Sequence, residues 1–312
     1  MLASARQPFV DWVAYAVVRA LVAVIQVVPL DMGQSMCNSI AAIADGVLRI
    51  RRKITEENIH RVFPDATHDQ KRHLRRQMWQ HLLLMVCEIA WAQRRLHLTN
   101  WSKYVRFRDN RQMLRMLMEK RPVVMVTGHY GNFELAGYVS GLMGFRTLAI
   151  ARRLDNVFLH RWVESFRSAR GQEMVDKEGC APVVDAHLAA NGTLSLLADQ
   201  HAGDRGCWVD FLGSPASSHK ALAVFSLAAD APMVVSATTR IRGAPMCVEM
   251  GIYGVADPRE ADSPSDVSSL TRWYNEKLGE AIATAPEQYW WLHRRWRDPP
   301  ARVQKRLARM AA

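Results

Sequence analysis

The stretch Val123-Val-Met-Val-Thr-Gly-His-Tyr-Gly-Asn-Phe-Glu134-Leu-Ala-Gly constrains the fold of this chain more than any other. A short β-branched run ends at Gly128-His129, a glycine turn follows, and Glu134 enters a helical segment. An imidazole therefore stands at the C-terminal end of a strand, with a carboxylate five residues on. On a continuous helix, residues five apart lie on different faces, so the two can meet only if the chain bends between them. Gly131 can supply the bend and Asn132 an N-cap. A His oriented by a carboxylate is the usual equipment of a general base. A His and an acid also share a short window by chance in many proteins, so the local pattern alone leaves the chemistry open.

From residue 122 onward, strands and helices alternate. Strands are expected at 122–127, 146–151, 193–198, 233–240 and 246–253, and helices at 133–142, 156–170, 181–190, 217–229 and 266–283. Strands separated by helices imply an α/β fold with a largely parallel sheet flanked by helices. Ligands in such folds collect at the carboxyl ends of strands. His129, Arg152 and Asp199 each follow a strand at that end. Residues 257–266 are rich in Pro, Asp and Ser and read as a loop, too short for a domain linker. The chain divides into N-terminal apolar helices, 1–50, and one domain, 51–312.

Phe9 to Leu30 is a 22-residue run dominated by Val, Ala, Leu and Ile, about the ~20 apolar residues that a bilayer-spanning helix needs. Asp11, Tyr15, Arg19 and Gln26 interrupt it, and their spacing puts them on one narrow helical stripe. Such a stripe can face the protein's own body or the headgroups while the wide apolar face meets lipid. A cleaved signal peptide fits poorly, because the n-region is weak and no small-residue cleavage pattern follows. Membrane association is the favoured reading, and a buried core helix is the alternative. Residues 33–49 form a second apolar helix, followed by the basic knot Arg49-Ile-Arg-Arg-Lys53, which suits anionic headgroups at ~1 kcal/mol per cation. Asp69 to Leu96 is a long helix by its near-3.6 spacing of Leu, Met and Ile. His73, His81 and Trp79 on it are assigned no chemistry.

The net charge of +11 points to anionic partners. It is spread over several helices and the C-terminus without a nucleic-acid-binding motif, so nucleic acid is not the expected partner. Five cysteines stand singly. An odd number without a C-x-x-C pair disfavours a disulfide framework and favours a reducing, cytosol-facing location. No spacing suits a zinc site, so neither metal nor cofactor is expected. The nucleophile elbow, the phosphate loop and the dinucleotide fingerprint are all missing from the sequence. Two polar clusters remain beside His129 and Glu134: Arg152-Arg-Leu-Asp-Asn156, and Asp199-Gln-His-Ala-Gly-Asp-Arg205-Gly206. Arginines on strand-end turns suit phosphate, because the guanidinium fork matches its oxygens; surface arginines with no ligand are the plainer reading.

Taken together, these blocks resemble the bacterial late acyltransferases of lipid A biosynthesis, the lauroyl/myristoyl transferases, within the wider His-x4-Asp/Glu glycerolipid acyltransferase group. Thr127-Gly-His-Tyr-Gly-Asn-Phe-Glu134 matches the motif in its Glu form. Arg152 with Asn156 matches the next block, and Asp199-Gln, Gly203-x-Arg205 and Phe211-Leu-Gly-Ser-Pro-Ala-Ser217 the third. Pro286-Glu-Gln-Tyr-Trp-Trp-Leu-His-Arg-Arg-Trp-Arg297 is similar to the C-terminal signature, and Asn58-Ile-His-Arg-Val-Phe-Pro64 to the N-terminal one. The likeness runs from about residue 9 to 300. Two departures bear on the acceptor: His201 stands where the family often has a second acid, and Asp204 sets a negative charge beside Arg205.

The resemblance implies a glycerolipid-acyltransferase-like fold at the inner (cytoplasmic) membrane, with the site on the cytoplasmic side. The implied reaction passes a fatty acyl chain from an acyl thioester to a hydroxyl of a lipid A precursor or related glycolipid. The donor would be acyl carrier protein, or acyl-CoA, and the surface an anionic membrane. His129 would be the general base and Glu134 its orienting acid, with helix-start N–H groups after Gly131 as oxyanion donors. Arg152 and Arg205 would hold phosphate, while Asn156 and Asp199 fix loop geometry. Competing readings are acylation of a lysophospholipid or other amphiphile, and a lipid-binding protein with a relict site.

Overall fold

The computed structural model describes residues 6–108, 111, 115, 118–168 and 171–305. Four helices come first: α1 (Arg6–Val27), α2 (Leu30–Gly46), α3 (Arg52–Val62) and α4 (His68–Arg95). Then β1 (Val105–Arg108), β2 (Val123–Thr127), α5 (Phe133–Leu142), β3 (Thr147–Ala151), α6 (Val157–Ser168) and β4 (Gln172–Asp176) follow. After these come α7 (Ala181–Ala189), β5 (Thr193–Leu197), the hairpin β6 (Cys207–Phe211) and β7 (Ser214–Ser218), and α8 (Ala221–Ala228). The long strands β8 (Met233–Arg240) and β9 (Val248–Ala256) and the helix α9 (Val267–Thr284) close the fold.

Among the described residues the main sheet runs β1-β9-β8-β2-β5-β3-β4. Every neighbouring pair in it is parallel except β8/β9. The fold is therefore α/β with a mostly parallel sheet flanked by helices. Strands covered on both faces must be apolar throughout, and Val124, Val126, Leu194, Val234 and Val235 are wholly buried. The expected strand boundaries hold to within a residue or three; β1, β4 and the hairpin were not expected. Ser217 and Ser218, expected to open a helix, instead end β7, and α8 starts only at Ala221. Both serines are fully buried; β pairing satisfies their backbone there. Ala169 and Arg170, the expected end of α6, lie outside the described residues.

α4 starts on a capping box in which Thr67 and Gln70 exchange side-chain and backbone hydrogen bonds. It carries α1 and α2 on one side and the sheet helices on the other. The half-buried inner face of α1 runs along Asp11, Tyr15, Val18, Val22 and Ile25, flanked by Ala16 and Gln26, the 4-3-4-3 spacing of a single helical seam. It is docked along its whole length. Asn156 Nδ2 donates to Asp11 O at 2.8 Å, the Tyr15 ring lies 6.1 Å from Phe158, and Arg19 sits over the Trp162 ring. Near its far end, Trp91 Nε1 donates to Ile25 O at 2.6 Å and Gln26 to Ala90 O at 3.0 Å. The outer faces of α1 and α2 stay exposed and apolar, from Phe9, Trp12 and Val17 to Met36, Ile40 and Ile43. The basic knot runs from the turn past the end of α2, where Arg49 and Arg51 are both at φ 50°, into the first turn of α3 with Arg52 and Lys53.

Candidate active site

Strand register builds the centre of the site. β2 and β5 are parallel neighbours with Thr127 opposite Leu197, so residues two beyond each project to the same side. Those residues are His129 and Asp199. Asp199 is fully buried. Its Oδ1 accepts from His129 Nδ1 at 2.8 Å and its Oδ2 from the His129 backbone N–H at 2.9 Å. Two bonds to one carboxylate fix both the turn and the ring. Burial opposes ionisation of Asp199, but the His129 charge and these hydrogen bonds outweigh it and hold the carboxyl at a pKa of about 2. Burial likewise opposes the charged form of His129, but Asp199, aided by the charge of Glu134, raises the imidazole pKa above its ordinary value. With Nδ1–H given to Asp199, Nε2 is the nitrogen left for another partner.

The structure places the two acids otherwise than expected. Glu134 makes no hydrogen bond to the ring; its carboxylate is held by Arg167 of α6, with Nε at 3.1 Å and a second, shorter bond from Nη2. The reason is local geometry. The bend at Gly131 takes the chain into α5, and a residue in the first turn of α5 points along the helix flank toward α6, while the ring follows its strand toward β5.

The turn itself is clamped from three directions. Gly131 has φ +63°, and a Cβ there would sit 2.0 Å from Thr238 O, so no larger residue fits. Gly131 N–H donates to Gln288 O at 3.0 Å, Asn132 N–H to Thr238 O at 2.6 Å, and Trp290 N–H to His129 O at 3.0 Å. The N–H groups of Gly131 and Asn132 are thus spent, which narrows the expected oxyanion donors to those of Phe133 and Glu134, which no intrahelical carbonyl can reach. Asn132 caps α5, its side chain accepting from Leu135 N–H at 3.1 Å, and donates to Glu88 at 2.9 Å. Glu88, fully buried on α4, also accepts from Arg240 Nε and Nη2 at 2.5 and 2.7 Å and from Met246 N–H at 3.0 Å. His81, one face along α4, lies 3.2 Å from Gly131 O and 2.8 Å from Arg240 Nη1; burial and the Arg240 charge keep it neutral, so Nε2 carries the proton to Gly131.

The C-terminal block closes over the imidazole. Phe133, Trp290 and His293 stand edge-on to the His129 ring at 5.1, 5.2 and 4.9 Å. Gln200 Nε2 lies 3.4 Å from His129 Nε2 and 3.3 Å from His293 Nε2. Burial, then the His129 charge, pushes His293 down to about 4, so it is uncharged near neutrality. Asn58 of α3 donates to the carbonyls of Trp291 and His293 at 2.8 and 2.6 Å, joining the two terminal blocks. Buried Arg295 bonds Ser217 O, Ser218 Oγ and Asn275 Oδ1 and holds the hairpin in place.

Arg152 follows β3, the strand beside β5, as expected, but its side chain is 81% exposed and meets Asp155 at 3.2 Å. Asn156 caps α6 by accepting from Phe158 and Leu159 N–H, and it ties α1 down. Arg205 is exposed on the β6 approach, away from any partner the structure gives for His129. Sequence reading missed Gln200, His293, Arg167 and the Glu88–Arg240–His81 cluster. Gln200 and His293 did lie within recognised blocks, adjoining Asp199 and within the C-terminal signature. Among the described residues no group of three or more His, Cys, Asp or Glu side chains could hold a metal.

Two cavities flank this centre. One of about 110 Å³ lies between α5 and the sheet, floored by small residues such as Ala149, Ser195, Ser236 and Gly251, and it reaches Thr127 and Phe133. The other is larger and lies beneath α1. Comparison with known proteins adds a family. The profile described as "Bacterial lipid A biosynthesis acyltransferase" matches residues 4–298. The chain is 25% identical over 267 residues to the lipid A biosynthesis palmitoleoyltransferase of Escherichia coli (strain K12), covering 84% of this chain and 83% of that one. An equal match is the lipid A biosynthesis acyltransferase of Shigella flexneri. The lipid A biosynthesis lauroyltransferase of Escherichia coli (strain K12) is 22% identical over 271 residues, 83% of either chain.

Proposed function

The chain belongs to the bacterial lipid A biosynthesis acyltransferase family, and from that premise we propose that it moves a fatty acyl chain from the thioester of an acyl carrier protein to a hydroxyl of a lipid A precursor. His129 Nε2 takes the hydroxyl proton while Nδ1–H stays on Asp199, which orients the ring and stabilises the imidazolium. The oxygen attacks the thioester carbonyl, a C–O bond forms, and the C–S bond breaks. The imidazolium returns its proton to the leaving thiolate, so no covalent enzyme intermediate is needed. Glu134 adds to the negative field at His129 and, with Arg167, walls the site. Arg152 and Arg205 serve the phosphates of the acceptor or of the donor's phosphopantetheine, and Asp204 tempers that charge. The basic surface suits an acidic donor protein.

A location at the inner membrane, site facing the cytoplasm, accords with the exposed apolar faces of α1 and α2, the adjoining basic knot and the free cysteines. Residues 1–50 then form the membrane-associating part and 51–312 the acyltransferase domain.

The observation that carries this reading is the His129–Asp199 pair at paired strand ends. Purified protein given acyl carrier protein thioesters and a tetraacyl disaccharide acceptor should form the new ester, and His129→Ala should slow it about 10²–10⁴-fold. Full activity in His129→Ala would overturn the scheme. Ester on a lyso-lipid alone would replace the acceptor, and reaction with acyl-CoA alone the donor.

A further inference from the structure

α1 covers the protein's body without filling the space beneath it. Between α1, α4, α6 and the C-terminal ends of β3 and β4 lies a cavity of about 410 Å³. Its walls are mostly apolar, with Val18 and Val22 from α1, Ile89 from α4, and Val163 and Phe166 from α6, while Gln93, His160, Glu164 and Asp176 add polar edges. One end is cationic. Arg152 and Arg153 reach it from the β3 turn, and their side chains are 81% and 74% exposed. Their ion pairs with Asp155 and Asp176, at 3.2 and 3.3 Å, are solvent-exposed and therefore weak. Exposed pairs of this kind cost little to exchange for another anion. Glu134 and Arg167 line it as well, and this ion pair also lines the smaller cavity beside the sheet. That smaller cavity reaches Phe133, whose ring packs on His129. This ion pair, with Ala151 and Met174, thus forms the wall shared by the space under α1 and the space beside the sheet.

An alkyl-lined cavity with cations at its mouth fits one class of ligand, a hydrocarbon tail carrying an anionic head. The covering helix has the complementary outer surface. Phe9, Trp12, Val17, Leu21 and Val24 are each more than half exposed, so lipid that wets α1 on the outside lies one helix diameter from the cavity inside. The geometry points to this cavity as the tail-binding site of the acceptor amphiphile, entered from the bilayer beside α1, with the anionic head held by Arg152 and Arg153. That the ligand is the acceptor rests on the acyltransferase reading; that the cavity takes an anionic lipid tail does not.

The test uses the full-length protein and a dodecyl phosphate with a diazirine near its terminal methyl. Irradiation and peptide mapping should place adducts on the stretches of α1, α4 and α6 that line the cavity. Val22→Trp and, separately on another helix, Val163→Trp should each cut adduct yield and raise the acceptor KM roughly tenfold, leaving the donor KM unchanged. The neutral probe dodecanol, similarly labelled, should be insensitive to the pair Arg152→Ala/Arg153→Ala, whereas the phosphate should lose yield. Adducts elsewhere, or yields unaffected by both tryptophans, would overturn the assignment. So would displacement of the probe by acyl thioester, which would make this the donor's site. His129→Ala should keep full adduct yield; if that variant also kept transferase activity, the catalytic reading would fall and the tail site would stand.

Discussion

At the scale of single residues, the question is which carboxylate acts on the ring of His129, the proposed base. Asp199 bonds His129 Nδ1 and its backbone N–H, whereas Glu134 is bound by Arg167 and reaches the ring only through space. The base must be unprotonated to work, and its pKa is raised, so the rate should climb with pH through a value above the ordinary histidine range. Asp199→Asn removes the main cause of that rise and leaves burial, which lowers the pKa, in control. Its acid limb should therefore move to lower pH, and its plateau should drop by about 10²–10⁴-fold for want of an oriented, charge-stabilised imidazole. Glu134→Gln removes a charge with a smaller effect on the ring and should shift the limb less in the same direction. pH–rate profiles of kcat/KM decide this, and a larger shift in Glu134→Gln would return the orienting role to that residue.

At the scale of elements, α4 is the spine that connects the N-terminal apolar helices to the His129 turn. Its Glu88 gathers Arg240 from β8, Asn132 from the α5 cap and the Met246 N–H, all inside the protein. One carboxylate thus holds three segments. Breaking such a buried pair leaves an unpaired cation, so Glu88→Gln should cost about 3–5 kcal/mol of stability, read from denaturant midpoints at constant slope. Because the lost partner holds the Asn132 cap, the variant that survives should also lose activity. A stability change within about 0.5 kcal/mol, typical of an exposed surface substitution, would show that Arg240 and Asn132 find other partners.

At the scale of the whole molecule, the proposed membrane location leaves α1 a choice between crossing the bilayer and lying on it. Pro8–Val27 is long and apolar enough to cross. Yet contacts from Asp11 to Gln26 bind one face of it to α4, α6 and the β3 turn. A crossing helix would carry those elements, with the exposed charges of Arg152 and Arg153, into hydrocarbon at a cost of several kcal/mol for each charge. A helix lying at the headgroup boundary meets no such penalty and sets its apolar outer face in lipid. Tags placed at both ends of the chain should therefore be cleaved by protease from the same side of sealed inverted vesicles. An N-terminal tag protected while the C-terminal tag is cut would show that α1 spans.

The sequence by itself determined the α/β alternation, the bend at Gly131, the cap at Asn132 and the polar stripe on α1, because each rests on local spacing or on one residue's conformational freedom. The recognised blocks also placed His129, Asp199 and the C-terminal aromatic segment on the list of residues that matter. Only the tertiary structure decided which acid meets the ring. That choice depends on β5 pairing beside β2 in a register that sets Leu197 opposite Thr127, two strands separated by some seventy residues of chain. The same holds for Glu88 and Arg240, 152 residues apart, whose meeting no periodicity announces. Local sequence specifies what a segment can be; the neighbours that fill a side chain's hydrogen bonds come from how the segments pack.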